Sequence, residues 1–390
     1  MNNEYVMRHK NKPVIMFSVN DDFELSDIGH VFDESRLPFG LMHRGKKELL
    51  FKQMSDWIEK RGLPCGRTDL PNIEYDLNVK NPVQLTLGSY ALNLADHYWV
   101  HKSGLYIRWN KVNFFQNNFK EVINFDCMGV YKQNKNIRIA PDLTVDGCLR
   151  KKWIVSGFKR YLLKGSLYYE MQEPFNEVIA SKIMKILGID HVQYKLIRNK
   201  KSNDIPLSVC KCMVTKNTEF ISAHVVRNME SKLDRNEYDR FIQICRKNGI
   251  QNAKEKIDNM IIIDYIIGNT DRHAGNFGII RNADTLEWLD VAPLFDNGNS
   301  FCHSVRTITD IEYNIDTACR WLGCGNYAAL QYIDYPQWFT KYTGEKIVDI
   351  IHSNFKYNRQ MSEDKKSKLV SIVQRRIQEF EKLLEKNKQG

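Results

Sequence analysis

The sequence predicts an α+β protein built from an amino-terminal α+β accessory domain over 1–137, a small β-rich lobe over 138–216 and a large helical lobe over 217–390. Three observations lead to this division. A chain of 390 residues is long for one hydrophobic core. The order strand, strand, helix, strand, strand is predicted inside the second segment, and the apolar spacing after it is mainly helical.

The first segment reads as an independent unit. A strand is predicted at 14–19, a helix over 46–61 that ends before Gly62, and a second helix from about Val83 to Ala95. An aromatic group follows, comprising Tyr98, Trp99, Tyr106, Trp109, Phe114 and Phe115. Such residues can stack on nucleic-acid bases, but their mixture with ordinary apolar residues favours packing in a core.

A polar stretch over 131–136 is the predicted linker to the small lobe. Beyond it we expect a hairpin around Ser156-Gly157, then a helix with Pro174 in its first turn, then two more strands. The predicted elements are strands 152–155 and 159–164, helix 173–187, and strands 192–197 and 207–214. In the large lobe, helices are predicted over 257–267 and from Leu369 to Leu384.

Composition narrows the classes of function. The net charge is +10, but the basic residues are dispersed, which is typical of a solvated surface and does not predict direct nucleic-acid binding. Nine cysteines show no metal-binding spacing, and no secretory signal or membrane-spanning run is visible. We therefore expect reduced thiols, a cytoplasmic location and no membrane association.

The main chemical signal is Asp271, followed by Asn276 five residues later and by Asp296 another twenty residues on. This is the order in which protein kinases place the aspartate that orients the acceptor hydroxyl and then two metal ligands. Magnesium prefers a few such oxygen ligands and completes its shell with phosphate oxygens and water. Asp290 is a competing candidate, but Asp296 ends an apolar run and is followed by Gly298, as expected for the metal ligand.

Two upstream residues fit the same chemistry. Lys164 ends a predicted strand and Glu177 lies thirteen residues later, in the next predicted helix. Kinases use a strand lysine on the ATP phosphates and a helix glutamate that holds the lysine. Either residue alone would be an ordinary surface charge, so the prediction depends on their order relative to Asp271.

The nucleotide phosphates have a weaker candidate site. Gly147, Arg150 and Lys151 lie where a phosphate-covering loop is expected, although Gly147 equally marks a tight turn. Neither a G-x-G-x-x-G nor a Walker motif is present.

Two residues beside Asp271 have supporting roles. Arg272 is expected to brace the loop or to neutralise phosphate charge. His273 is expected to brace the loop through hydrogen bonds, with catalytic acid–base chemistry as the alternative.

The segment from Asn269 to Phe277, together with Leu163-Lys164 and Asn176-Glu177, resembles the HipA-like serine/threonine kinase family. The resemblance runs from about Leu143 to Asn299, and residues 1–140 resemble the amino-terminal part of a bacterial HipA-like subgroup. It implies a bilobal protein-kinase-like fold, ATP and magnesium (Mg2+) as cofactors, and phosphorylation of a protein serine or threonine. In toxin-type members it also implies a small DNA-binding antitoxin partner.

Two other functions remain open. One is a catalytically weak nucleotide-binding regulator, a pseudokinase that acts by binding a partner. The Asp-Arg-His-x-x-Asn string is also similar to that of lipid kinases. The loop is therefore also compatible with an acceptor hydroxyl on a lipid or a small molecule.

Overall fold

The computed structural model describes residues 3–41, 46–63, 71, 74–75, 78–119, 139–144, 151–199, 204–229, 236–305, 307–313, 316–334, 336 and 338–389. These residues form two compact units. The first comprises 1–163, 214–221 and 282–286, and the second comprises 164–213, 222–281 and 287–390. The division into three domains at 137 and 216 stays a prediction, and the predicted linker at 131–136 lies outside the described residues.

The first unit is built on an antiparallel sheet with the strand order β3-β2-β1-β4. Its helix α1 buries Leu50, Met54 and Ile58, which recur every four residues and so lie on one face. The elements of this unit are β1 (Asn3–His9), β2 (Lys12–Val19), β3 (Leu25–Val31), α1 (Lys47–Arg61), α2 (Pro82–Gly88), β4 (Tyr98–Lys102), α3 (Trp109–Val112), β5 (Lys151–Ser156) and β6 (Lys159–Lys164), whose last residue enters the second unit.

The predicted helix over 83–95 is too long. Helix α2 ends at Gly88, and the chain then turns because Tyr90 and Ala91 adopt left-handed backbone angles, with φ of 58° and 48°. The apolar residues of this stretch continue a helix-like spacing past the turn, and the spacing alone could not show where the helix stops.

Core packing, predicted for the whole aromatic group, is confirmed for most of its members but is wrong for Tyr106. Trp99 is fully buried on β4, and Trp109 and Phe114 are also buried, whereas Tyr106 is exposed. His97 lies among these aromatic residues, with its ring centroid 5.5 Å from that of Trp109 and 4.5 Å from that of Phe115. Its Nε2 donates to the Thr218 carbonyl oxygen at 3.1 Å. Burial lowers the pKa of His97 to about 4, so the ring is neutral near pH 7.

The second unit carries most of the helices. In it β7 and β8 pair antiparallel, and α4 packs against both of them and against α10. Its elements are α4 (Glu173–Ile186), β7 (Tyr194–Asn199), β8 (Ile205–Lys211), α5 (Ala223–Arg227), α6 (Glu237–Lys247), α7 (Ala253–Ile267), β10 (Gly278–Asn282), β11 (Trp288–Val291), α8 (Ile308–Tyr313), β12 (Ala318–Cys319), β13 (Cys324–Gly325), α9 (Asn326–Ala329), α10 (Lys341–Phe355) and α11 (Glu363–Gln389), while β9 (Thr218–Ser222) belongs mainly to the first unit.

The predicted strands and helices of the middle segment are confirmed within a few residues, as are α7 and α11. The region after Thr218 is less purely helical than expected, because two short antiparallel hairpins, β10–β11 and β12–β13, interrupt it. The first hairpin separates the loop after α7 from Asp296, and the second follows Asp296. No helix in the described part of the chain combines the length and apolar character needed to cross a membrane.

Candidate active site

The loop that contains Asp271 begins where α7 ends. Gly268 closes the helix in the left-handed conformation, with a φ of 62°, and Asn269 N then donates to the Asp264 carbonyl oxygen at 2.9 Å. The Asn269 side chain donates to Asp264 Oδ1 at 2.9 Å and accepts from Asp271 N at 3.0 Å. Asn269 therefore fixes the backbone at Asp271, which is the turn-forming use of asparagine.

Arg272 is fully buried at the centre of the site. Its Nε and Nη2 donate to the two oxygens of Asp264, at 2.9 and 3.0 Å, in the bidentate geometry favoured by guanidinium. Burial disfavours the charged guanidinium and by itself would lower the pKa of Arg272. The attraction of the Asp264 carboxylate is stronger and raises that pKa above its ordinary value. Of the two uses considered for Arg272, these contacts favour bracing.

The same guanidinium joins three parts of the chain. Its Nη1 donates to the carbonyl oxygens of Asn276 and Phe295, at 2.9 and 2.6 Å, and its Nη2 donates to Asn297 Oδ1 at 2.6 Å. The carbonyl oxygens of Asn276 and of Phe295, the residue before Asp296, thus accept hydrogen bonds from the same guanidinium nitrogen. This contact brings the two candidate metal ligands into one site.

Lys164 lies at the end of β6 with 4% of its side chain exposed. Its Nζ donates to Glu177 Oε1 at 2.6 Å and to Asp296 Oδ1 at 2.7 Å. Burial alone would lower the pKa of Lys164, but Asp296 and Glu177 outweigh it and raise the pKa well above its ordinary value. The structure therefore places a permanently charged ammonium between two carboxylates, one of which is the candidate metal ligand.

Helix α4 fixes the segment that contains Asp296. Glu177 Oε2 accepts from Asn297 N at 2.9 Å, and the Asn176 side chain donates to the carbonyl oxygens of Gly298 and Ser300 at 2.7 and 2.8 Å. Asp296 itself has a φ of 59°, which a non-glycine residue adopts at a cost. The surrounding hydrogen bonds hold Asp296 in this conformation.

The donor set fits a magnesium ion with its phosphate ligands. Asn276 Nδ2 donates to the Asp271 carbonyl oxygen at 2.9 Å, which turns Oδ1 of the same amide toward other partners. Asp296 adds a carboxylate with 27% of its side chain exposed. One amide oxygen and one carboxylate are the hard oxygen donors that magnesium uses beside phosphate and water.

The Asp271 carboxylate is held on both sides. Asn299 Nδ2 donates to Oδ2 at 2.9 Å, and Arg320 Nη1 donates to Oδ1. Asn299 is fixed in turn, because its carbonyl oxygen accepts from the N and the Oγ1 of Thr270, each at 3.0 Å. Asp271 keeps 27% of its side chain exposed, so it can be reached from solvent.

His273 braces the loop. Its Nδ1 accepts from Gly275 N at 3.0 Å, and its carbonyl oxygen accepts from Asn276 N at 2.9 Å. The first contact requires that Nδ1 carry no proton, so the Nε2–H tautomer is the one that fits. Gly275 is needed here, because a Cβ atom would lie 2.7 Å from the His273 ring.

The remaining predicted residues lie elsewhere or cannot be placed. Lys151 is buried at the start of β5 in the first unit. Gly147 and Arg150 lie outside the described residues, so phosphate binding there stays a prediction. Asp290 lies on β11 and pairs with Lys256 at 2.6 Å, which gives this competing carboxylate a structural partner.

The sequence reasoning missed three residues that contact the predicted site: Asp264, Asn299 and Arg320. Asp264 had a visible signal, since it is the one acid in a run of isoleucines over 260–267. A buried acid in such a run requires a buried cation, and Arg272 lies eight residues further along the chain. Asn299 and Arg320 have no comparable local signal.

The last helix also supports the loop. Arg376 of α11 is fully buried, and its guanidinium lies so close to Gly268 that a Cβ there would be 2.2 Å from Nη1. Glycine at 268 is therefore required both by its left-handed φ and by the approach of Arg376.

The fold and the arrangement of lysine, glutamate, aspartates and asparagine define a protein of the kinase-like class. The chain belongs to the HipA-like family, since residues 143–353 match the model of the HipA-like C-terminal domain. A curated relative is the serine/threonine-protein kinase CtkA of Helicobacter pylori, 30% identical over 132 residues. That match covers 32% of this chain and spans only 39% of the length of the relative.

Two solved structures are similar to this chain. The HipA chain of the Shewanella oneidensis toxin–antitoxin complex of HipA, HipB and operator DNA covers 96% of this chain and 97% of its own length, with a TM-score of 0.53 at 13% identity. This likeness shows the fold. The crystal structure of the Helicobacter pylori proinflammatory kinase CtkA matches 58% of this chain and 89% of its own length, with a TM-score of 0.45 at 19% identity.

Proposed function

We propose that the chain transfers the γ-phosphoryl group of ATP, with magnesium, to a serine or threonine hydroxyl of a protein. The observation that carries the proposal is the ammonium of Lys164, buried between Glu177 and Asp296 in the site that also holds Asp271 and Asn276. Family membership supports a kinase-type activity, and the name of the curated relative supports a serine or threonine acceptor.

Each residue has a role in this proposal. Lys164 binds phosphate oxygens, and Glu177 keeps its ammonium in place. Asn276 and Asp296 hold magnesium, which when bound offsets the negative charge of the phosphates. Asp271 accepts a hydrogen bond from the acceptor hydroxyl, orients it and takes its proton late in the transfer.

Loss of the Asp271 carboxylate is the direct test. The purified chain is incubated with radiolabelled ATP, magnesium and a mixed protein substrate, and phosphosites are mapped by mass spectrometry. Asp271→Asn should lower labelling by about 100-fold or more, while Asp349→Asn, at an exposed position on α10, should label like the wild type. Equal labelling by Asp271→Asn and wild type would contradict the proposal.

The same experiment separates the other functions. Thermal stabilisation by ATP and magnesium without transfer to any acceptor would support a nucleotide-binding regulator. Labelling of phosphoinositide vesicles in preference to protein would support a lipid kinase.

We also propose a small DNA-binding protein as a partner, because the HipA of the similar solved complex is bound to HipB and operator DNA. Co-expression with the product of the neighbouring gene, followed by size-exclusion chromatography, tests it. Separate elution of the two proteins would contradict a stable complex.

A further inference from the structure

Arg320 lies outside every motif of the site, yet its guanidinium contacts the candidate catalytic group. Nη1 donates to Asp271 Oδ1, while the other carboxylate oxygen accepts from Asn299 at 2.9 Å. Both oxygens of Asp271 are therefore engaged, one by a neutral amide and one by a cation.

The two partners of Asp271 differ in their freedom. Two hydrogen bonds from Thr270 to the main-chain carbonyl oxygen of Asn299 fix the backbone from which the Asn299 side-chain amide reaches Asp271. The Arg320 side chain is 55% exposed. An ion pair in contact with water contributes little to stability, so the guanidinium can exchange this partner for another at small cost.

The backbone that carries Arg320 is nevertheless firmly placed. The next residue, Trp321, is buried with its ring 4.9 Å from that of Phe277. Directly after the same hairpin, at the start of α9, the Asn326 side chain donates to the Asn269 carbonyl oxygen at 2.9 Å. The hairpin is thus anchored at both ends of the loop over 269–277, called the catalytic loop below because it contains Asp271, and it presents a movable cation to Asp271 from a fixed position.

An acceptor hydroxyl must reach an oxygen of Asp271, and the oxygen with the exchangeable partner is the one that contacts Arg320. When the hydroxyl binds there, the guanidinium stays within reach of the groups that flank it. Its planar set of N–H donors matches a carboxylate or a phosphate in bidentate fashion.

We propose that Arg320 is an acceptor-recognition residue, which covers Asp271 and then pairs with an anionic group beside the acceptor serine or threonine. The shared chemistry is a carboxylate or phosphate group on the acceptor. This inference rests on the proposed kinase function and adds the class of acceptor to it.

The test compares acceptor preference in charge variants of the full chain. Serine peptides with Glu, phosphoserine, Gln or Lys at each flanking position are incubated with magnesium and labelled ATP, and phosphosites are mapped in parallel in a dephosphorylated bacterial lysate. The wild type should favour the anionic flank over Lys by about threefold to fivefold, the size of an exposed ion pair. Arg320→Gln should lose this preference, and Arg320→Glu should favour Lys.

The control is Arg359→Gln, which removes an arginine that is 78% exposed and lies near Asp204 instead of Asp271. It should keep the preference of the wild type. The Glu and phosphoserine arms distinguish a carboxylate from a phosphate as the preferred anion.

Three results would overturn the inference. One is transfer by the wild type with no difference between anionic and basic flanks. Another is an anionic preference that Arg320→Gln retains. The third is an equal rise of the transfer rates of all peptides in that variant, which would show that Arg320 only blocks Asp271 and does not recognise the acceptor. A wild type that labels neither peptide nor lysate protein would instead overturn the proposed function, and this inference with it.

Discussion

Arg272 and Asp264 form a fully buried bidentate ion pair between the catalytic loop and helix α7, with N–O distances of 2.9 and 3.0 Å. Because the same guanidinium also binds backbone oxygens at Asn276 and Phe295, the pair links the helix to both candidate metal ligands. Its loss should therefore affect stability and activity together.

Asp264→Asn should lower the free energy of unfolding by about 3–5 kcal/mol, because it leaves a buried guanidinium without its carboxylate. Urea denaturation measures this change. Combined with Arg272→Gln in a double-mutant cycle, the two losses should be far from additive, since each single variant already breaks the pair. Additive losses would show that the two residues stabilise the fold independently.

Asp296→Asn should strongly slow magnesium-dependent transfer while it preserves the fold. Asparagine tolerates the left-handed backbone at this position, where φ is 59°, but it removes the negative charge from the metal ligand. We expect a rate loss of about 100-fold, measured across a magnesium titration. Asp296→Ala should lose thermal stability in addition, by about 1 kcal/mol, because alanine disfavours this conformation. Unchanged transfer by Asp296→Asn would remove Asp296 from the metal site.

Gly275→Ala should displace His273 and slow transfer by about 10-fold, since the new Cβ would lie 2.7 Å from the imidazole. Nucleotide binding should change little, because Lys164 and Glu177 are not touched. The matched control is Gly88→Ala, at a helix end where no atom lies within 4 Å of the added Cβ. If both variants kept full activity, the bracing role of His273 would be excluded.

His97 should make stability depend on pH. The unfolded chain protonates this imidazole as the pH falls through its ordinary value near 6.5, whereas the folded chain does so only at about 4. The stability associated with neutral His97 is therefore fully present above pH 6.5 and is lost as the pH falls toward 4, by up to about 3 kcal/mol. His97→Phe should flatten this part of the curve in urea titrations between pH 4 and 7. The same series on His352→Gln, an exposed histidine of α10, is the control, and equal slopes in wild type and His97→Phe would contradict the assignment.

Some residues of this site could be predicted from the sequence, and others could not. Asp271, Asn276 and their spacing belong to one short loop, and Lys164 and Glu177 belong to adjoining elements, so local pattern was sufficient to propose them. Arg320 meets Asp271 across 49 positions of the chain, and such a contact arises only when the β12–β13 hairpin packs on the loop. Strand β3 was missed because most of its residues are exposed and only Ile28 is buried, so the alternation that predicts a strand is weak.

The approach of Arg376 to Gly268 has a consequence for genetic screens. A stop codon or frameshift in α11 at or before Arg376 leaves every motif residue intact, yet it removes the side chain that lies against Gly268, where the loop containing Asp271 begins. Inactivating alleles should therefore accumulate in this helix as well as around Asp271.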